Sequence, residues 1–101
     1  MSVDRYTEIY ANFRWDVPRE FNIAWHCCGR WADDASRIAI YHEDGRGMTA
    51  QLTYAEMQRR ANQMSNVLDG LGVQRGDRVA ILLPQRLEVP ISHMAIYQMG
   101  A

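Results

Sequence analysis

The most regular hydrophobic spacing in the chain lies between Thr53 and Gly72. Tyr54, Met57, Ala61, Met64, Leu68 and Leu71 recur at three- and four-residue steps, and Val67 flanks them. Glu56, Arg59, Arg60, Gln63 and Asn66 fill the opposite side. This spacing predicts an amphipathic helix with one core-facing stripe, its methionines acting as gap fillers. Thr53 and Glu56 stand at capping-box separation, where each side chain can satisfy a free backbone N–H of the other residue. Gly72 follows where a chain leaving a helix must accept positive φ.

The pattern changes on either side of that helix. Val79-Ala80-Ile81-Leu82-Leu83 is a continuous apolar run, which predicts a strand buried on both faces of a parallel sheet. Arg37–His42 and Met48–Thr53 surround Glu43-Asp44-Gly45-Arg46-Gly47, and Ile38 and Ile40 alternate with Ala39 and Tyr41. That predicts a β-hairpin turning at Asp44-Gly45. Strand, helix and strand with short connections make a right-handed βαβ crossover. After Pro84-Gln85 a further helix is expected over Leu87–Met99, with Pro90 in its first turn.

Upstream, Asn22 is the expected N-cap of a helix running to about Asp33, with Ile23, Ala24, Cys27, Cys28 and Trp31 on one broad face. Tyr6, Ile9, Tyr10 and Phe13 predict a short helix over Asp4–Phe13, ended where Pro18 biases Val17 toward extended geometry. Tyr10, Phe13, Trp15 and Phe21 read as an apolar arm that packs on the body of a larger domain, in preference to a ligand cage. The fold class expected is α/β: a β-hairpin plus a βαβ unit with covering helices. It divides into a helical, aromatic arm over 1–20 and a partial α/β subdomain over 21–101, incomplete at its C-terminal end.

Composition narrows the partners. The 101 residues are 48% hydrophobic and 23% charged, an ordinary globular balance with room for only a modest core. Eleven basic and twelve acidic residues are interspersed, giving a net charge of -1 and no basic stripe for nucleic acid. No run of about 18 apolar residues exists, so no membrane span is expected. Met1–Tyr6 lacks the apolar core of a signal peptide, which makes the cytoplasm the expected location.

Candidate chemistry is sparse. Adjacent Cys27 and Cys28 do not readily close a relaxed disulfide and have no second pair at metal-ligand spacing, so they read as small helix residues. His26, His42 and His93 lie far apart without motif neighbours. Ser92-His93 is a poor nucleophile–base pair, because adjacent helical residues point in different directions. Glu43-Asp44-Gly45 reads as a solvated turn, and Arg75-Gly76-Asp77 as the turn after the capped helix, matching an integrin-binding tripeptide by letters only.

The order of these elements carries a resemblance. Hairpin, Thr53-Tyr54-Ala55-Glu56 helix, Leu71-Gly72-Val73, Gly76-Asp77-Arg78-Val79-Ala80-Ile81-Leu82-Leu83-Pro84 and a helix ending Gly100-Ala101 resemble the N-terminal part of acyl-CoA synthetases. These belong to the AMP-forming synthetase and ligase superfamily. Phe13–Pro18 followed by Phe21-Asn22-Ile23-Ala24 is similar to the lead-in of medium-chain and related acyl-CoA synthetases. The resemblance implies a ligase that uses ATP and Mg²⁺ to adenylate a carboxylic acid, then transfers the acyl group to the CoA thiol. In the family the phosphate loop and its lysine, the metal-binding acid, the ribose aspartate and the mobile-domain lysine all lie downstream of the region matched. This sequence contains no lysine: its eleven basic residues are arginines. No catalytic, cofactor-binding or metal-binding residue is therefore carried over.

The expectation is an N-terminal fragment that is scaffold, inactive alone, whose partner is the remainder of the synthetase domain, and which is prone to self-association. The alternative is a self-contained small α/β interaction module without catalysis.

Overall fold

The computed structural model describes residues 4–101, so Met1–Val3 of the leader reading lie outside the described residues. Helix α1 (Arg5–Asn12) is capped by Asp4, whose carboxylate accepts from the Tyr6 N–H at 3.2 Å. It buries none of its residues and packs against no other element. The aromatic arm thus stands clear of the rest: Trp15 is 83% exposed.

Helix α2 spans Ile23–Cys27, with the Asn22 side chain accepting from the Trp25 N–H at 3.1 Å. Asn22 is the expected cap, but the helix is shorter than predicted. It breaks at Cys28 (φ -135°, ψ -60°) and resumes as a 3₁₀ turn over Gly29–Trp31. The apolar spacing continues through this break, so the pattern alone does not reveal it. Two local facts accompany the break. The Cys28 side chain is fully buried with its Sγ 3.6 Å from the Tyr54 carbonyl, and a Cβ on Gly29 would meet Trp25 Cδ1 at 3.1 Å.

Strands β1 (Ile38–Glu43) and β2 (Thr49–Thr53) pair antiparallel in a two-stranded sheet. The register slips between Ile38, opposite Thr53, and Ile40, opposite Leu52, which leaves Ala39 as the extra residue of a bulge. Strict alternation would turn Ala39 outward with Tyr41. The bulge instead brings Ala39 against the core beside Ile40. The Asp44 carboxylate accepts from the Arg46 and Met48 N–H groups at 2.8 and 2.9 Å and closes the connecting turn.

Helix α3 (Tyr54–Gly70) starts directly from β2 with no linker. The Thr53 hydroxyl accepts from the Glu56 N–H at 3.1 Å, which is one half of the expected capping box. The other half does not form, because the Glu56 carboxylate turns forward to Arg59 and Arg60. Met57, Ala61 and Leu68 of the predicted stripe are buried. At the other end the Val73 N–H donates to Leu68 and the Gly72 N–H to Asp69, both at 3.0 Å. With Gly72 at φ +93°, this is a Schellman motif. Gly72→Ala is expected to cost about 1–2 kcal/mol, the strain of a Cβ in the left-handed region, read as a lowered thermal midpoint.

Helix α4 (Glu88–Gln98) lies along α3 and α2 and buries Ile91, Ser92, Ala95 and Ile96. The core gathers Cys28, Leu52, Met57 and Ile91 from four separate stretches of chain, with Ala39, Ile40, Tyr54, Leu87 and Met94 around them. Between α3 and α4, Val79–Leu83 shows a strand's alternation at its start: Val79 and Ile81 are half-buried, while Ala80 and Leu82 are exposed. It has no ladder partner among the described residues, so the second strand of the expected βαβ unit is unpaired here. The neighbours that would bury both its faces are not among these residues.

The result is an α/β arrangement that is far from compact. Its radius of gyration is 17.9 Å, against roughly 13 Å for a compact chain of this length. Its accessible surface of 8386 Å² is about 2,500 Å² more than the roughly 5,900 Å² of a typical folded monomer of 11.7 kDa.

Candidate functional site

The candidate groups from the sequence are held apart by the fold. Cys27 is exposed and Cys28 buried, both as free thiols. Burial pushes the Cys28 thiol up to about 11, and neighbouring Cys27 adds to the rise. A thiol held in that range is a poor nucleophile or metal ligand at neutral pH. His26 stacks on Phe21 at 3.9 Å between ring centroids and meets Trp25 edge-on at 5.0 Å. His42 sits half-buried on the hairpin opposite Ala50. His93 pairs its Nδ1 with the Tyr97 hydroxyl at 2.8 Å, one helical turn on.

The Ser92 hydroxyl donates to the Glu88 carbonyl at 2.6 Å, a back-bond within its own helix that leaves it unconnected to His93. The Arg75-Gly76-Asp77 turn is tied down at both ends. The Gly76 N–H donates to the Gly100 carbonyl at 2.9 Å, and the Asp77 carboxylate accepts from the Gln74 N–H at 2.7 Å. Among the described residues no three His, Cys, Asp or Glu side chains cluster as a metal site.

The fold does assemble one polar constellation that the hydrophobic pattern left unmarked. The Gln98 side chain donates to Ser65 at 2.5 Å and to Asn62 at 3.2 Å, and accepts from Gln58 at 2.9 Å. Ser65 donates on to the Ala95 carbonyl at 2.9 Å, and Asn22 to the Gln98 carbonyl at 3.4 Å. The signal was present, since Gln58, Asn62 and Ser65 recur at four and three on α3 as a polar stripe. Its partner on α4, forty residues from Gln58, carries no local signature. Beside it an open cleft of about 640 Å³ is lined by Phe21, Asn22, His26, Arg75, Tyr97 and Gly100, among others. The residues of the constellation satisfy one another, and this binds α2, α3 and α4 together. Nothing in it places a nucleophile beside a base.

The strongest electrostatic feature is also structural. Hydrogen bonds from Arg59 and Arg60 hold the Glu56 carboxyl down at about 2, from an ordinary 4.5. The folded state therefore takes up its proton later than the unfolded chain does. The stability this contributes is complete above about 4.5 and is lost as the pH falls through about 2. Thermal midpoints of the parent and Glu56→Gln, measured across that window, are expected to converge toward its acid end.

A family profile described as AMP-binding enzyme matches residues 29–101. The chain belongs to the AMP-binding enzyme family. Among relatives of this AMP-binding family member is an acetyl-coenzyme A synthetase of Nitrosomonas europaea, 34% identical over 90 residues, covering 88% of this chain and 14% of the relative. Another is an acetyl-coenzyme A synthetase of Streptomyces coelicolor, 37% identical, covering 87% of this chain and 14% of the relative. The crystal structure of a Brucella canis acyl-CoA synthetase superimposes with a TM-score of 0.83 over 98% of this chain and 20% of that one. At 24% identity that likeness speaks for the fold. The chain spans about 14% of the length of the curated relatives it matches.

Proposed function

We propose that these residues are scaffold in an AMP-forming acid–CoA ligase, which activates a carboxylic acid with ATP and passes the acyl group to CoA. The observation that carries this reading is the family match over residues 29–101, in a chain whose surface is far too large for its mass. A stretch that covers 14% of an acetyl-coenzyme A synthetase and leaves about 2,500 Å² in excess is suited to packing beneath a larger domain. Its partner on this reading is the remainder of that domain, onto which the aromatic arm would also pack.

The side chains in hand do not fit the reaction's cofactors. In the family that the chain resembles, a Ser/Thr/Gly-rich loop with a lysine takes the phosphates, and Mg²⁺ calls for a cluster of oxygen ligands. The sequence has no lysine and no such loop, and the Glu56 carboxylate is committed to two arginines. No step of adenylation or thioester formation is assigned to these residues. The resemblance of Phe13–Pro18 and Phe21–Ala24 to the medium-chain lead-in favours a medium-chain or related acid, and with it a place in fatty-acid metabolism.

Acid-dependent exchange of pyrophosphate into ATP tests both halves of the reading. The 101-residue polypeptide is expected to give none. A longer product of the same gene is expected to give exchange and to carry a Ser/Thr/Gly-rich loop with a lysine. Exchange by the short polypeptide would overturn the scaffold role. A longer product inert toward every acid tried would overturn the ligase reading and favour an interaction module.

A further inference from the structure

The chain holds two Asp-Gly pairs, Asp44-Gly45 and Asp69-Gly70. Glycine has no Cβ to shield its amide nitrogen, so that nitrogen can reach the carboxyl carbon of the aspartate before it. The fold treats the two pairs oppositely. Gly70 closes α3, whose helical backbone commits its N–H to the preceding turn. Asp44 and Gly45 lie exposed in the hairpin turn, and the Gly45 N–H has no hydrogen-bond partner among the described residues. We propose that Asp44-Gly45 is a self-modification site, at which the folded chain converts Asp44 to isoaspartate through a cyclic imide. This goes beyond the ligase reading and uses no group outside residues 44–48.

The turn also prepares the carboxyl group. Oδ1 of Asp44 accepts from both the Arg46 and the Met48 N–H, at 2.8 and 2.9 Å, which curls the side chain forward over its own backbone. Two donors on one oxygen offset the charge that gathers there as a nitrogen attacks the carboxyl carbon. The Gly45 nitrogen forms a bond to Cγ of the protonated acid, and the Oδ2 hydroxyl leaves with the nitrogen's proton as water. Water then opens the imide ring at either carbonyl. Attack at Cγ breaks the new C–N bond and restores aspartate. Attack at the main-chain carbonyl breaks the original peptide bond, so the chain runs through Cγ and a free α-carboxylate is left. No oxidant or cofactor enters. The product has a backbone longer by one carbon and has lost the acceptor that closes the turn, so conversion marks aged molecules at the hairpin.

Peptide mapping of the intact 101-residue chain, held in mildly acidic buffer below its thermal midpoint, reads the site. Isoaspartate is expected to accumulate at position 44 and to stay several-fold lower at position 69. In urea, where both pairs lose their backbone hydrogen bonds, the two positions are expected to react alike. Gly45→Ala should cut formation at position 44 several-fold by shielding the nitrogen. That variant should fold as the parent does: Gly45 does not adopt positive φ, and a Cβ there meets nothing within 4 Å. Asp44→Asn should speed the reaction, with ammonia leaving in place of water and a change in mass to follow it. No isoaspartate at position 44, equal amounts at the two positions in the folded chain, or a rate indifferent to Gly45→Ala would each overturn the proposal. So would a position 69 that lags equally in urea, because the sequence around each pair, and not the fold, would then choose the site.

Discussion

Leu52→Ala is expected to remove about 2–5 kcal/mol of folding stability, a large part of the roughly 5–15 kcal/mol that a folded domain has in total. Leu52 is only 2% exposed and meets Cys28, Met57 and Ile91, each from a different stretch of chain. Removing its side chain opens a hole where the hairpin, α2, α3 and α4 converge, and no single element can shift to fill it. Urea titration followed by circular dichroism would read the change as a lower midpoint at unchanged slope. The same truncation at Val67, which is 58% exposed, should stay within about 0.5 kcal/mol. Equal losses at the two sites would mean that the core is not where the burial pattern places it.

The opposite error, too much volume, is expected to be nearly as harmful at Ala61. Ala61 on α3 and Ala95 on α4 both have 0% of their surface exposed. The two helices approach closely enough for Ser65 to donate to the Ala95 carbonyl at 2.9 Å. Ala61→Leu would force the helices apart or strain rotamers, costing about 1–3 kcal/mol, and would stretch the Gln98 hydrogen bonds that span the same seam. The thermal midpoint reads the first effect. Slower exchange at the Gln98 side-chain amide than in the variant would report the second. A neutral or stabilising Ala61→Leu would show that the seam holds unfilled space.

How far the sequence alone reaches depends on the range over which each feature is decided. Helix α3 was legible almost to the residue, since its stripe, its Thr53 cap and its Gly72 stop are all local. The hairpin was legible in position but not in register, because the bulge at Ala39 answers to the packing of Ile40 against Leu52's neighbours. The break at Cys28 was not legible. The apolar spacing runs through it, and the buried Cys28 thiol lies against the carbonyl of Tyr54, more than twenty residues away. Glu56 shows the same limit at short range: four-residue spacing offered Arg60 and three-residue spacing offered both Thr53 and Arg59, and the charged partners won. Val79–Leu83 is a different case. Its composition describes the environment it is built for, two covered faces, and these residues supply only one.

That Thr53 is at once the last residue of β2 and the cap of α3 joins two quantities that are usually independent. With no linker between them, the direction in which α3 presents Met57, Ala61 and Leu68 is set by the phase in which the hairpin closes. Each residue added or lost in β2 inverts the face from which the following helix departs and shifts its start by about 3.3 Å, enough to carry its apolar stripe off α4. The hairpin therefore works as a rotary index for the helix, and the length of a five-residue strand decides which way a seventeen-residue helix faces.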